Sequence, residues 1–449
     1  MTCPSCGADA TQGSHFCRMC GTSLDGVPRG RRVVVTGMGA ITSLASSVQD
    51  TWQRILNGDT GIRRAANLIE GKHACLLRGD VDDASIPKRV LTGKVARNAS
   101  RFTHLVIEAT ADALMQARLI GPDLEPLSDL SQAGAVIGTC MGGTQDDYLP
   151  AWDKYQEYGE SRVAPHLHVT FPHNLAAYNI QSRWGMGGPS LTLATACATG
   201  AQAIGEAFLN VREGRAPIMI AGAVESTSQE MWTAGFAAMR ALPTDSNDDP
   251  GAASRPFDAT RAGFVLGEGA AALVLEELGH ALSRGATILA EILGFSTTND
   301  AYHPIAPIPE GTGAARAITN ALMDAGVKAD EIDHVNAHAA STPAGDVAES
   351  NAIRLAFGER AASIPVTSIK GAVGHCMGAS GAIETVAAVM TLLDQVIPPT
   401  RNYRNPDPEI GLDIVHGAPR PAVVNKITKH SFGLGGQNAC LVLGRYVGA

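Results

Sequence analysis

The stretches FVLGEGAAALVL (Phe264–Leu275) and FGLGGQNACLVL (Phe432–Leu443) repeat Phe, Leu, Gly, Ala and Leu-Val-Leu in register, about 170 residues apart. Similarity at that distance marks two related halves and excludes a short-period solenoid. The segments around the repeat set the fold class. AGAVIGTCMGG, PIMIAGAVES and HVNAHAAS each look like a buried strand running into a turn of small residues. RFTHLVIEATADALMQA, GAQAIGEAFLNVREG and GAIETVAAVMTLLDQ carry apolar positions at helical spacing. The alternation argues for a layered α/β body whose halves divide near Arg284–Thr287.

RVVVTGMGAITS opens this body and looks like strand, turn and helix start. Its GMG invites a dinucleotide-binding reading, but the third glycine of that fingerprint falls on Thr42, and we reject it.

The chain has 449 residues, 45% of them hydrophobic, enough for a large core. A net charge of −9 argues against general nucleic-acid binding. No apolar run approaches the roughly 20 residues of a membrane helix, and MTCPSCG lacks the features of a signal peptide. A cytoplasmic protein with reduced cysteines is expected.

Four of the nine cysteines lie within the first twenty residues. Cys3, Cys6, Cys17 and Cys20 form two CxxC pairs, and four thiolates suit a closed tetrahedral zinc site. So short a segment has almost no core, and metal binding would supply most of its folding energy, roughly 10–16 kcal/mol. The expected organisation is a zinc ribbon at 1–24, a linker at 25–31, and the two halves at 32–286 and 287–449.

SLTLATACATGAQAIGEAFLNV reads as strand, tight turn and helix, with Cys197 at the helix start. Small neighbours permit a sharp bend and an accessible sulfur, and the helix N-terminus would lower the thiol pKa. A free cysteine is more commonly core filler. Its companions weigh against that: His338 follows the strand of HVNAHAASTPAGD, and SIKGAVGHCMGASGAIE places Lys370 and His375 in a turn like that of Cys197, with Glu384 inside the following helix.

TACATG, NAHAASTPAGD, KGAVGHCMGASGAIE and SFGLGGQN together resemble the elongating β-ketoacyl–acyl carrier protein synthases of the thiolase superfamily. The resemblance runs from about Arg32 to the C-terminus. It implies a duplicated α-β-α-β-α fold and a decarboxylative condensation of acyl- and malonyl–carrier protein, with no redox cofactor. Cys197 would hold the acyl chain, and His338 and His375 would stabilise the enolate. Lys370, supported by Glu384, would tune the histidines, and the amides of Cys197 and Leu434 would form the oxyanion hole.

By the same resemblance, Met141, Phe236 and Phe432 line the acyl pocket and Thr342 meets the phosphopantetheine arm. Lys94, Arg97, Arg101 and Arg240 would face the acidic carrier protein. The chain departs from the family pattern in Ala339 and Ala340, which replace Gly-Thr, and in Leu434, which replaces a gating phenylalanine. These departures and the zinc module favour a specialised polyketide or lipid pathway. A homodimer or a heterodimer with a related subunit is implied. His166, His168 and His173 are assigned no metal. Two alternatives stand beside catalysis: a non-catalytic partner of the chain-length-factor type, and a zinc-ribbon adaptor recruiting a carrier protein or enzyme.

Overall fold

The computed structural model describes residues 30–447. The cysteine-rich segment, with Cys3, Cys6, Cys17 and Cys20, lies outside them. In chain order the first half contains β1 (Val33–Thr42), α1 (Arg101–Gln116), β2 (Gly134–Gly138), α2 (Leu175–Trp184), β3 (Ser190–Leu193), α3 (Thr199–Arg212), β4 (Ile218–Glu225) and β5 (Gly269–Glu277). The second contains β6 (Ala290–Asn299), α4 (Thr312–Ala325), β7 (His334–Asn336), α5 (Pro343–Phe357), β8 (Pro365–Thr367), α6 (Ser380–Asp394), β9 (Asp413–Ile414), β10 (Lys426–Gly433) and β11 (Gln437–Gly444).

The strands form one eleven-stranded sheet ordered β9-β8-β7-β10-β11-β6-β1-β5-β4-β2-β3. Each half contributes the same sequence of neighbours: β3-β2-β4-β5-β1 in the first and β8-β7-β10-β11-β6 in the second. The antiparallel contact of Val33–Val35 with Ala290–Ile292 joins them. The repeated Phe-Leu-Gly stretches lead into β5 and β11, which occupy equivalent places in the two halves.

Three apolar clusters define the layers. One packs α1 and α2 on the first half-sheet, and another packs α4 and α5 on the second. Between them, α3 and α6 share a cluster with strands of both halves, giving five layers with the sheet halves linked at one end. Burial of apolar area at about 25 cal/mol per Å² drives this assembly. The central helices touch backbone to backbone, because a β-carbon on Gly381 would stand 2.4 Å from the Ala201 nitrogen and one on Gly200 2.5 Å from the Ala382 nitrogen. Backbone cannot move aside cheaply. Gly381→Ala is therefore expected to destabilise the fold by about 1–3 kcal/mol, as overpacking does. A urea titration with an unchanged midpoint would show that α3 and α6 can separate.

The GMG segment is corrected here. Residues 33–42 form one continuous buried strand, with a bulge between Val35 and Gly37 and no turn into a helix. Its glycines serve packing: β-carbons on Gly37 and Gly39 would collide with the carbonyls of Ala113 and Ala109 on α1.

Candidate active site

The equivalent layout of the halves brings the chemistry together. Cys197 precedes α3, and His375 precedes α6, the corresponding helix of the second half. Ala196 adopts φ 49°, a left-handed conformation that costs a non-glycine residue about 1–3 kcal/mol. That bend turns Cys197 toward its partners. His375 Nε2 lies 3.1 Å from Cys197 Sγ, and its Nδ1 is 2.9 Å from Ser380 Oγ at the start of α6. The backbone around His375 is pinned between Val265 O and the Gly267 amide.

His338 follows β7, its ring centroid 5.4 Å from that of His375 and nearly perpendicular to it. Glu349 of α5 anchors it by accepting the His338 amide at 2.8 Å and the Ala339 amide at 2.6 Å. Lys370 donates to the His338 carbonyl and pairs with Glu384. Lys370, Glu384 and His375 are all essentially buried.

Electrostatics corrects one expectation. Burial pushes the Cys197 thiol up to about 12, overriding the positive charge of Lys370 and a backbone hydrogen bond from Leu434. Cys197 as a residue is 6% exposed and lines the cavity, less open than the small neighbours implied. Burial, with Lys370 second, holds both His338 and His375 well below the usual histidine range. The resting pair is a neutral thiol beside a neutral imidazole. Below its pKa a thiol gains thiolate tenfold per pH unit, so iodoacetamide alkylation of Cys197 should accelerate about tenfold per unit from pH 7 to 9. A plateau inside that range would instead indicate a thiolate–imidazolium pair.

Cys197, His338, His375, Phe236, Phe432 and Leu434 line a cavity of about 390 Å³. Phe264 stands edge-on to His375 at 5.2 Å and to Phe236 at the same distance, making an apolar wall. Thr342 and Arg240 also line it. Met141 does not; it packs partly buried in the apolar cluster that contains Cys197 and Trp232. Lys94 and Arg97 are exposed, and so is Arg240. Arg101 is not available as a docking residue: it lies in an ion pair with the fully buried Glu268, at 2.6 Å, and pairs with Asp83. An arginine committed to a buried carboxylate would leave an uncompensated charge if it turned outward.

The sequence reading missed Glu349, Ser380, Lys429 and His430. A signal existed for the last two: ITKHSFG puts Lys-His inside an otherwise buried strand. Among the described residues no group of three His, Cys, Asp or Glu side chains has metal-holding geometry, and no helix is long and apolar enough to cross a membrane. His173 Nε2 is 3.0 Å from the Cys140 carbonyl.

The family model described as the N-terminal domain of β-ketoacyl synthase matches residues 30–281, and that of its C-terminal domain matches 289–404. A Synechocystis protein named 3-oxoacyl-(acyl-carrier-protein) synthase 2 is 42% identical, the match covering 93% of this chain and 98% of the relative. A Staphylococcus aureus protein of the same name is 39% identical over 93% of this chain and 99% of its own. Among solved structures, a β-ketoacyl synthase from Burkholderia phymatum superposes with TM-score 0.85 at 33% identity, covering 93% of this chain and all of that one. A type II polyketide ketosynthase solved in complex with its acyl carrier protein gives TM-score 0.84 at 31% identity, with the same coverage.

Proposed function

The chain belongs to the β-ketoacyl synthase family, and from that premise we propose that Cys197 carries the growing acyl chain while His338 and His375 handle the malonyl extender. The enzyme is a condensing acyltransferase of fatty acid or polyketide chain elongation. The observation that carries the residue roles is the 3.1 Å approach of His375 Nε2 to Cys197 Sγ at an apolar cavity.

In the first step the Cys197 sulfur attacks the acyl thioester carbonyl. Its proton passes to His375, and the carrier thiol leaves with a proton. The Cys197 and Leu434 amides receive the oxyanion, a donor pair whose members are each worth about 2.7–4 kcal/mol. The malonyl thioester then loses carbon dioxide, and the electron pair released forms an enolate whose oxygen accepts hydrogen bonds from the neutral imidazoles. The enolate carbon attacks the acyl group, the bond to Cys197 Sγ breaks, and the leaving thiolate takes up one proton from solvent water. Neutral histidines serve this role because each can donate from one nitrogen, His375 once its ring proton has moved from Nδ1, beside Ser380, to Nε2.

The partners proposed are an acyl carrier protein, greeted by Lys94, Arg97 and Arg240, and a second ketosynthase subunit. A dimer is favoured by β3, an edge strand with Leu191 40% exposed, and by Trp152 and Tyr155, both nearly half exposed. Such apolar patches mark contact surfaces. Leu434 at the cavity and the alanines at 339 and 340 favour an acyl chain outside the commonest range, in a specialised pathway. Cys3, Cys6, Cys17 and Cys20 would hold one structural zinc, a donor set suited to that ion; metal analysis of the whole chain tests it.

A ladder of acyl–carrier proteins, read by intact-protein and peptide mass spectrometry, tests the central reading. Acylation at Cys197, cleared by malonyl–carrier protein with release of a β-ketoacyl product two carbons longer, is the expected result. The preferred rung reports the pocket beside Leu434. No acylation on any rung, even with a candidate partner subunit, would favour the adaptor reading.

A further inference from the structure

Lys429 lies on β10 with its side chain 0% exposed, and no step of the condensation uses it. Its ammonium sits among oxygens: Glu384 Oε2 at 2.8 Å, Ser431 Oγ at 2.9 Å and the His430 carbonyl. The other carboxylate oxygen of Glu384 is taken by Lys370, which reaches onward to the His338 carbonyl. One carboxylate on α6 is thus divided between two ammonium groups, one on β10 and one in the turn after β8.

We infer that Lys429 is a positioning residue for the two-histidine site, the second of two ammonium groups that fix Glu384, and through it Lys370, beneath His338 with one net positive charge. The arrangement is costly in isolation, since a buried ammonium must recover its hydration from nearby oxygens. Two neutral acceptors and a shared carboxylate provide that. The charge has a direction of action. Lys370 and Lys429 both disfavour protonation of His338 and His375. His430 adds to this at His338, while Glu349 accepts the His338 backbone amide and pairs with the His430 ring. Lys429 itself faces Glu384, Lys370 and Glu349. A merely structural lysine would support packing without moving the histidines' titration.

The inference rests on the ketosynthase reading for its purpose, and its test does not require turnover. Full-length protein labelled with 13C at histidine Cε1 is titrated by NMR, with His338→Ala and His375→Ala giving the assignments. Counting Lys370, Lys429 and Glu384, with Glu349 the same throughout, the charge is +1 in the wild type, 0 in Lys429→Met and +1 again in the double variant Lys429→Met/Glu384→Gln. Lys429→Met should raise the titration of His338 and His375 by about one pH unit, the size of a lost unit charge at buried-site dielectric. The double variant should return it toward the wild-type value. Histidines that titrate unchanged in Lys429→Met, or that move equally in both variants, overturn the inference. Should Lys429→Met not fold, the double variant against Glu384→Gln alone, with charge +2, decides it: the single variant must titrate lower. The acid limb of condensation activity, followed in parallel, must move with the histidines. A wild type without condensation would count against the ketosynthase reading, while the NMR comparison would still decide the role of Lys429.

Discussion

Cys197→Ala is expected to abolish acyl transfer and condensation, with a loss on the order of 10⁴-fold or more, as removal of a covalent nucleophile produces. The variant should fold normally. Alanine is smaller than cysteine, and what it removes is one sulfur whose hydrogen-bonding partners are the imidazole of His375 and the Leu434 amide. The division of labour predicts more than inactivity. The carbon–carbon bond of malonyl thioester breaks through the enolate, which needs the imidazoles and not the sulfur. Malonyl–carrier protein should therefore still lose carbon dioxide in Cys197→Ala, yielding acetyl–carrier protein without condensation product. The corresponding His338→Ala variant should show the reverse pattern: Cys197 still acylates, because His375 is its immediate neighbour, and decarboxylation falls away. Measuring acylation by mass spectrometry and decarboxylation by acetyl–carrier protein release separates the two half-reactions. Acylation and decarboxylation lost together in both variants would mean that the three groups act as one unit.

What could be read from the sequence was whatever is carried by local pattern. The strand–turn–helix around Cys197 and the similar turn around His375 were visible because small residues mark tight turns and the following helices have clear periodicity. Their equivalence followed from the Phe-Leu-Gly repeat, and the structure gives that equivalence a physical basis in matching strand orders around α3 and α6. The GMG of β1 was misread because glycine signals both a turn and a close approach, and only the position of α1 decides between them. Arg101 was misread for a similar reason. A basic residue near a helix start looks solvated until its carboxylate partner, 167 positions later in the chain, is known. The thiol pKa was misjudged because the favourable turn was visible locally, whereas the burial that outweighs it is a property of the assembled layers. Glu349 escaped notice because it lies on the helix after the histidine loop and acts on backbone amides, a role without a motif.

Glu384→Ala is expected to cost about 3–5 kcal/mol of stability, the range for breaking a buried charge pair by removing one partner. Here the removed partner serves two. Lys370 and Lys429 would be left facing each other in a site closed to bulk water, since all three side chains are at most 2% exposed. Lys370 would keep the His338 carbonyl, and Lys429 the His430 carbonyl and Ser431 Oγ. Neutral acceptors compensate an ammonium less well than a carboxylate does, and the mutual repulsion would be new. A lower urea midpoint at unchanged slope, with reduced thermal tolerance, is the expected signature. Glu384→Gln keeps an acceptor of the same shape and should lose less. The two lysines have one escape: either can give up its proton. Lys429 is the one predisposed to do so, because burial already holds it below the ordinary lysine range against the pull of Glu384. If Lys429 discharges in Glu384→Ala, the stability deficit should shrink as pH rises, because the folded state then binds fewer protons than the unfolded one. A deficit independent of pH would instead mean that both ammonium groups stay charged and that the surrounding carbonyls alone can hold them.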